Sequence, residues 1–195
     1  MRTVYLICHG EPAFPNGEKL CISRTDLPLS SLGLMQCIHL KKYFESIILT
    51  GVYHCGLKRT SLTAAAISEK NCFAEGWEEF NFGRWEGLSI REIRKEYPAL
   101  CKQREIIHIH FQIPEGEFPS SCRNRVTSAL HSLLYQTKGD IAIIGHKNIN
   151  RFLLCDLLNM PLKSYHKIPQ PYGCINVLHV EDRKISVEAI GVSPN

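Results

Sequence analysis

The sequence has no long hydrophobic run, no block of charge of one sign and no Cys-x-x-Cys pair. Without about 20 consecutive apolar residues, a membrane-spanning helix is not expected. Lysine and arginine are scattered and the net charge is only +4, which argues against a nucleic-acid-binding arm. The apolar run near the N-terminus is too short for the core of a signal peptide. These absences favour a cytoplasmic protein whose partners include no nucleic acid and no membrane.

The nine cysteines are odd in number and lack the spacing of a disulfide framework. We interpret them as reduced thiols in a reducing compartment, mostly buried as small apolar side chains. No zinc-binding pattern of cysteine and histidine surrounds them, so no metal site is expected. The mildly basic balance suits a small anionic substrate.

Length and composition are those of one packed domain. The chain has 195 residues, of which 44% are hydrophobic and 22% are charged, and no repeat, low-complexity tract or linker divides it. We therefore predict a single domain over residues 1–195. Within it, the least regular pattern falls in residues 98–120, which we expect to form a lid or an insertion.

Apolar, β-branched runs alternate with segments of helical periodicity. The predicted strands are 3–8, 51–55, 140–144, 174–180 and 184–190. The first predicted helix is capped by Ser30 or Ser31 and has apolar positions from Leu34 to Phe44, and the others are 58–68, 89–97, 118–136 and 148–159. This alternation predicts an α/β fold, a three-layer sandwich with a largely parallel central sheet and helices on both faces. In such sheets ligands bind beyond the carboxyl ends of the strands.

Three predicted strand ends carry residues suited to phosphoryl chemistry. His9 follows the first strand, Arg59 the second, and His146 the strand at 140–144. A neutral imidazole can attack phosphorus, and an arginine can hold phosphate oxygens in a bidentate manner. A second histidine can stabilise the transferring group. These residues predict a phosphoryl-transfer site.

Ordered motifs surround these residues along nearly the whole chain. They are Cys8-His9-Gly10-Glu11, Asp26-Leu27-Pro28-Leu29, Gly33-Leu34-Met35-Gln36, the segment from Cys55 to Ala64 around Arg59, Glu79 before Phe82-Gly83-Arg84-Trp85-Glu86-Gly87, Pro114-x-Gly116-Glu117 and Gly145-His146-Lys147. In content and order they resemble the motifs of the histidine phosphatase (phosphoglycerate mutase-like) superfamily. A single His-Gly pair would be a weak signal, whereas the ordered set is a strong one.

The resemblance implies a phosphoglycerate mutase-like fold and assigns roles. His9 is then the nucleophile that forms a phosphohistidine, and Glu79 is the general acid for the leaving group and later the base for water. Arg59 and His146 bind the phosphoryl group, with Gly10 beside them. No metal or other cofactor is implied, because arginine and histidine supply the charge stabilisation. The neighbouring Glu78 is an alternative to Glu79, which has the better register with the following Phe-Gly.

The largest departure from the family is Cys8, which occupies the position of a phosphate-binding arginine. Cys8 itself is not expected to be the nucleophile, because a cysteine phosphatase loop needs an arginine where Phe14 stands. Asn16 lies near the place of the family's phosphate-binding asparagine. The candidates for the missing charge are Arg24, Arg84, and Lys147 with Arg151, of which Lys147 is preferred.

The resemblance implies a phosphomonoester phosphatase acting on a small phosphorylated metabolite, since the short chain lacks room for the larger insertions of the mutases. A phosphoglycerate mutase-like phosphotransferase is the first alternative. A noncatalytic binder of phosphate ligands, with Cys8 marking a degenerate site, is the second. A homodimer is compatible with the sequence, although periodicity alone defines no dimer surface.

Overall fold

The computed structural model describes residues 1–107, 110–182 and 184–194, and the side chains of 105–107 are outside this description. The strands are β1 (Arg2–Cys8), β2 (Gly51–His54), β3 (Asn71–Phe73), β4 (Ile141–Gly145), β5 (Ile175–Glu181) and β6 (Lys184–Val192). The helices are α1 (Ser31–Phe44), α2 (Lys58–Ile67), α3 (Ile90–Glu96), α4 (Pro98–Ile107), α5 (Pro119–Gln136) and α6 (Lys147–Leu157). Among the described residues, no helix is both long and apolar enough to cross a bilayer.

The strands form one mixed sheet in the order β3-β2-β4-β1-β5-β6. β3, β2, β4 and β1 are mutually parallel, whereas β5 runs antiparallel to both β1 and β6. The largely parallel α/β prediction is therefore confirmed. The edge strand β3 was not predicted, because Asn71–Phe73 spans only three residues and shows no alternating pattern.

The sheet separates two apolar layers, as the three-layer prediction requires. Val4 and Ile143 face a core shared with α5 and α6, while Ile7 and Ile144 face a core shared with α1 and α2. All five residues of β4 are buried. A strand covered on both faces must be apolar at every position, which explains why the continuous run was readable in the sequence.

The segment predicted as a lid or an insertion is partly helical. α4 begins at Pro98, a position where proline's missing amide hydrogen costs no helical bond. After residues 108–109, which are outside the described part of the chain, Phe111 and Ile113 return to the main core. Sequence periodicity missed this helix, and its role as a lid stays a prediction.

Strand register brings the two predicted histidines together. In the parallel pair of β1 and β4, Cys8 lies opposite Gly145. His9 and His146 directly follow these two strands, so both leave the sheet at the same carboxyl edge. The predicted convergence at this edge follows from this register.

Candidate active site

His9 is positioned by the end of β1 and is almost fully buried. Its backbone amide donates to the carbonyl of Gly145 at 3.2 Å. Its Nδ1 lies 2.7 Å from the carbonyl oxygen of Gly10, and because a carbonyl only accepts, Nδ1 carries the proton. Burial, helped by the charge of Arg59, lowers the pKa of His9 to about 3. At neutral pH, Nε2 therefore has a free lone pair, as a nucleophile requires.

His146 packs edge-on against His9, with 4.9 Å between the ring centroids. Its Nδ1 accepts from Nε of Arg59 at 3.4 Å, and its Nε2 lies 3.1 Å from Sγ of Cys55. Burial lowers the pKa of His146, and the nearby His9 and Arg59 lower it further. His146 is therefore a neutral ring that is held through both nitrogens beside His9.

Arg59, in the first turn of α2, is a fully buried guanidinium bonded to His146. Its two terminal nitrogens donate to the carbonyls of Thr25 at 2.7 Å and Ser23 at 3.0 Å. Each of these nitrogens keeps one further N–H for a ligand. The loop after the first motif thus presents a pre-oriented arginine at the carboxyl edge of the sheet.

Glu86 fixes the loop that holds Arg59, a role that the motif alone did not reveal. Its carboxylate accepts from the backbone amides of Ser23 at 2.8 Å, Arg24 at 3.0 Å and Thr25 at 2.9 Å, and from the Ser23 and Thr25 hydroxyls. Burial opposes ionisation of Glu86, but these hydrogen bonds outweigh it and lower its pKa. An ionised Glu86 therefore connects the Phe-Gly-x-Trp-Glu-Gly motif to the loop that holds Arg59.

Glu79 is buried in the wall of a cavity that is also lined by His9. One carboxylate oxygen accepts from the amide of Phe80 at 2.7 Å, and the other accepts from the amide and side chain of Asn148, both at 3.3 Å. Burial raises the pKa of Glu79 despite these bonds. Glu78 instead pairs with Arg125 at 3.3 Å. Of the two neighbouring glutamates, Glu79 is the one that lines the cavity.

A cavity of about 210 Å³ joins His9 to Glu79. Two lysines lie at its entrance around Tyr172, whose ring centroid is 5.4 Å from that of His9. The Lys147 ammonium is 4.5 Å and the Lys19 ammonium 5.9 Å from the Tyr172 ring. Sequence reasoning missed Lys19 and Tyr172, which belong to no quoted motif. Among the described residues, no group of three or more His, Cys, Asp or Glu side chains is arranged to hold a metal ion.

Of the predicted site residues, His9, Glu79 and Lys147 line this cavity, whereas Arg59, His146, Gly10, Asn16 and Arg24 are not among its described lining residues. The amide of Gly10 donates to the Thr63 hydroxyl at 3.0 Å, and a Cβ at Gly10 would come within 2.8 Å of the Gly33 carbonyl oxygen. Gly10 therefore permits close packing of the first loop on α1. Asn16 and Arg24 are exposed and are not among the described residues lining the cavity. Their proposed roles in phosphate binding stay predictions.

Cys8 is fully buried, and this burial raises the pKa of its thiol well above the ordinary value. A neutral thiol contributes none of the positive charge of an arginine. Of the candidate replacements, Arg84 pairs with Glu115 at 2.8 Å and Arg151 donates to the carbonyl of Ile168 at 2.9 Å. Lys147, by contrast, lines the cavity.

Comparison with known proteins identifies the family to which this site belongs. The sequence model of the histidine phosphatase superfamily, branch 1, matches residues 4–193. The chain belongs to the histidine phosphatase superfamily. Its resemblance to this family, inferred from the motifs, is thereby confirmed.

Relatives of this chain carry both phosphatase and mutase names. Phosphoserine phosphatase 1 of Hydrogenobacter thermophilus is 28% identical over 82% of this chain and 78% of its own length. The probable phosphoglycerate mutase GpmB of Escherichia coli is 29% identical over 83% and 77%. A 6-phosphofructo-2-kinase/fructose-2,6-bisphosphatase of Caenorhabditis elegans is 23% identical over 93% of this chain, which spans only 42% of that protein.

A solved structure agrees with the fold. The YhfR protein of Bacillus stearothermophilus superposes with a TM-score of 0.90 over 100% of this chain and 99% of its own, at 24% identity. This likeness confirms the phosphoglycerate mutase-like α/β architecture.

Proposed function

We propose that this histidine phosphatase is a phosphomonoester phosphatase that acts on a small phosphorylated metabolite through a phosphohistidine intermediate. The observation that carries the proposal is the pairing of a neutral, buried His9 with the buried Glu79 across one cavity. The environments of the two groups move their pKa values in opposite directions, which suits a nucleophile working beside an acid.

In the first step, the Nε2 lone pair of His9 attacks phosphorus and the ester P–O bond breaks. The departing oxygen takes the proton of Glu79, so the alcohol leaves neutral. In the second step, Glu79 accepts a proton from water, whose oxygen attacks phosphorus as the N–P bond breaks. Inorganic phosphate leaves, and both groups return to their starting states.

In this proposal, charge on the transferring phosphoryl group is stabilised by Arg59, which is buried and bonded to His146, and by Lys147 and Lys19, which line the cavity. The two lysines supply the charge that Cys8 does not provide. A hydrogen bond to a charged group contributes about 1.5–3 kcal/mol, so one well-placed lysine replaces much of a lost arginine contact. The lysines make point-charge contacts, not the bidentate contact of an arginine.

The first test compares wild type with His9→Ala. Phosphate release from 4-nitrophenyl phosphate and a panel of phosphorylated metabolites is measured from mildly acidic to neutral pH, with and without EDTA. We expect turnover in wild type, retained in EDTA, and none in His9→Ala. His39→Ala is the matched control, because His39 is exposed on α1. An acid-labile, alkali-stable phosphoryl label on the wild-type protein, absent from His9→Ala, would identify the intermediate.

The same assay separates the alternatives. Phosphate exchange between phosphoglycerates that requires a bisphosphate primer, without net release, would favour the phosphotransferase. No activity in wild type but a gain above about 100-fold in Cys8→Arg would favour a degenerate binder, since one charged contact accounts for roughly 10- to 100-fold. Either result would contradict the proposed phosphatase.

A further inference from the structure

A second cavity, of about 390 Å³, lies beside the catalytic one. The two cavities share Phe82, Ile90 and Asn148 in their walls. Asn148 is also the residue that donates to the carboxylate of Glu79. The second cavity therefore adjoins Glu79, the proposed acid. Because this acid must contact the leaving oxygen, the leaving group of a bound ester would extend toward the second cavity.

One wall of this cavity is a continuous run of aromatic rings. The centroids of Phe82 and Phe80 are 5.5 Å apart, those of Phe80 and Phe152 are 5.7 Å apart, and those of Phe152 and Tyr165 are 4.9 Å apart. Aromatic walls of this kind favour a flat apolar ligand, because rings stack or meet edge-on at these separations.

The other wall carries an indole with an unused donor. Trp85 and Phe111 lie with their centroids 5.9 Å apart at an angle of 33°. The Arg104 guanidinium lies 5.3 Å from the Trp85 ring and donates to the Tyr165 hydroxyl at 3.2 Å, which links the two walls. The Trp85 indole nitrogen is buried and has no acceptor among the described residues.

The edge of the cavity is basic. Arg94, Arg104, Lys163 and His166 are among its described lining residues, which include no carboxylate. An anion is the ligand group that such an edge attracts.

From these features we infer that the second cavity binds the leaving group of the substrate, and that this group is a flat, apolar or aromatic alcohol carrying a second negative charge. The inference rests on the proposed phosphatase activity. The ester oxygen stays beside Glu79, the apolar body lies between the two aromatic walls, and the distal anion meets the basic edge. A small polar alcohol would leave the apolar cavity unfilled.

Three aryl monophosphates with leaving groups of similar acidity test the inference. They are phenyl phosphate, 2-naphthyl phosphate and 6-carboxy-2-naphthyl phosphate. We expect kcat/KM to rise at least about fivefold from the phenyl to the naphthyl ester, and about tenfold again with the carboxylate, mainly through a lower KM. Equal values for all three would overturn the inference.

The variant Arg94→Gln/Lys163→Gln tests the basic edge. We expect the preference for the carboxylated over the plain naphthyl ester to fall about tenfold. Lys41→Gln/Lys42→Gln is the matched control, because it removes the same charge from the exposed side of α1 and should keep the wild-type preference. An equal loss of preference in both double variants would indicate a general effect of net charge and would overturn the inference.

Direct binding separates this inference from the proposed function. Calorimetry measures the affinity of the leaving alcohol itself, 6-hydroxy-2-naphthoate, and requires no catalysis. We expect saturable binding that weakens about tenfold in Arg94→Gln/Lys163→Gln. Such binding without phosphate release from any ester would support the cavity and refute the phosphatase. Turnover without any binding of the naphthoate would support the phosphatase and refute the cavity.

Discussion

The floor of the catalytic cavity and its entrance differ in how their charged and reactive groups are held. We use the term floor for His9 and Glu79, which line the cavity, together with His146, which packs against His9, and Arg59, which is bonded to His146. All four side chains are buried and hydrogen-bonded to the protein. The entrance consists of Lys19 and Lys147, whose ammonium groups lie over the Tyr172 ring at a more open surface. The floor groups are thus fixed by hydrogen bonds within the protein, whereas the two lysines contact an aromatic ring and are more exposed.

The comparison bears on the proposal that the entrance lysines replace the charge that Cys8 does not provide. Fixed donors in a water-poor site stabilise a transition state strongly, because they need no reorganisation during the reaction. Charges nearer to solvent act more weakly and are screened by salt. A missing floor cation can thus be replaced from the entrance only in part, and variants at the two levels should respond differently.

The largest effect is expected for Glu79→Gln at the floor. Without the acid, kcat for an alkyl phosphate should fall by about 10²- to 10⁴-fold. For 4-nitrophenyl phosphate the fall should be much smaller, because that leaving group departs without a proton. The control is Glu78→Gln, which breaks only the pair with Arg125. Equal losses with both substrates would show that Glu79 is not the acid.

The pH profile of wild type gives the same residue a second test. The protonated form of Glu79 is the acid, and burial raises its pKa, so kcat should fall as pH rises through that raised value. On the acid side, kcat should fall only as His9 becomes protonated near its pKa of about 3. Activity that instead increases steadily into the alkaline range would contradict both assignments.

An intermediate effect is expected for Glu86→Gln, which weakens the hydrogen bonds that hold the loop around Arg59. Loss of the charge weakens the hold on the loop at 23–25, and Arg59 loses its fixed orientation. We expect KM for substrate and Ki for inorganic phosphate to rise about 10- to 100-fold. Glu92→Gln weakens the capping box of α3 and serves as the control for stability alone. A lower melting temperature with unchanged KM and Ki would mean that Glu86 does not position Arg59.

The smallest effect is expected at the entrance. Lys147→Gln should lower kcat/KM about tenfold at low salt, and Lys19→Gln, whose ammonium lies farther from Tyr172, about threefold. Both deficits should shrink near 0.5 M salt, where the Debye length falls to roughly 4 Å. For Arg59→Lys, by contrast, the loss in kcat/KM should persist at about 0.5 M salt, because Arg59 is fully buried. A salt-independent Lys147 deficit would place that lysine with the floor groups.

Much of the fold was predictable because burial constrains whole segments. β1 and β4 are covered on both faces, and their continuous apolar runs were visible without any tertiary information. β3 was not predicted, because a three-residue edge strand shows little periodicity. α4 was missed although half of its residues are apolar, because Pro98 directly follows the helix predicted at 89–97 and proline is typical of a helix boundary. Such elements depend on contacts that only the assembled domain provides.

By itself, the sequence determined the fold class, the family and the positions of His9, Arg59 and His146, because each histidine must follow a strand that ends at one edge of the sheet. Only the tertiary structure decided that Glu79 and not Glu78 lines the cavity, that Glu86 holds the loop around Arg59, and that Lys19 and Lys147 meet over Tyr172. The physical reason is distance along the chain. Local patterns fix which residues enter a strand or a helix, whereas these contacts join side chains far apart in sequence, whose proximity follows from packing.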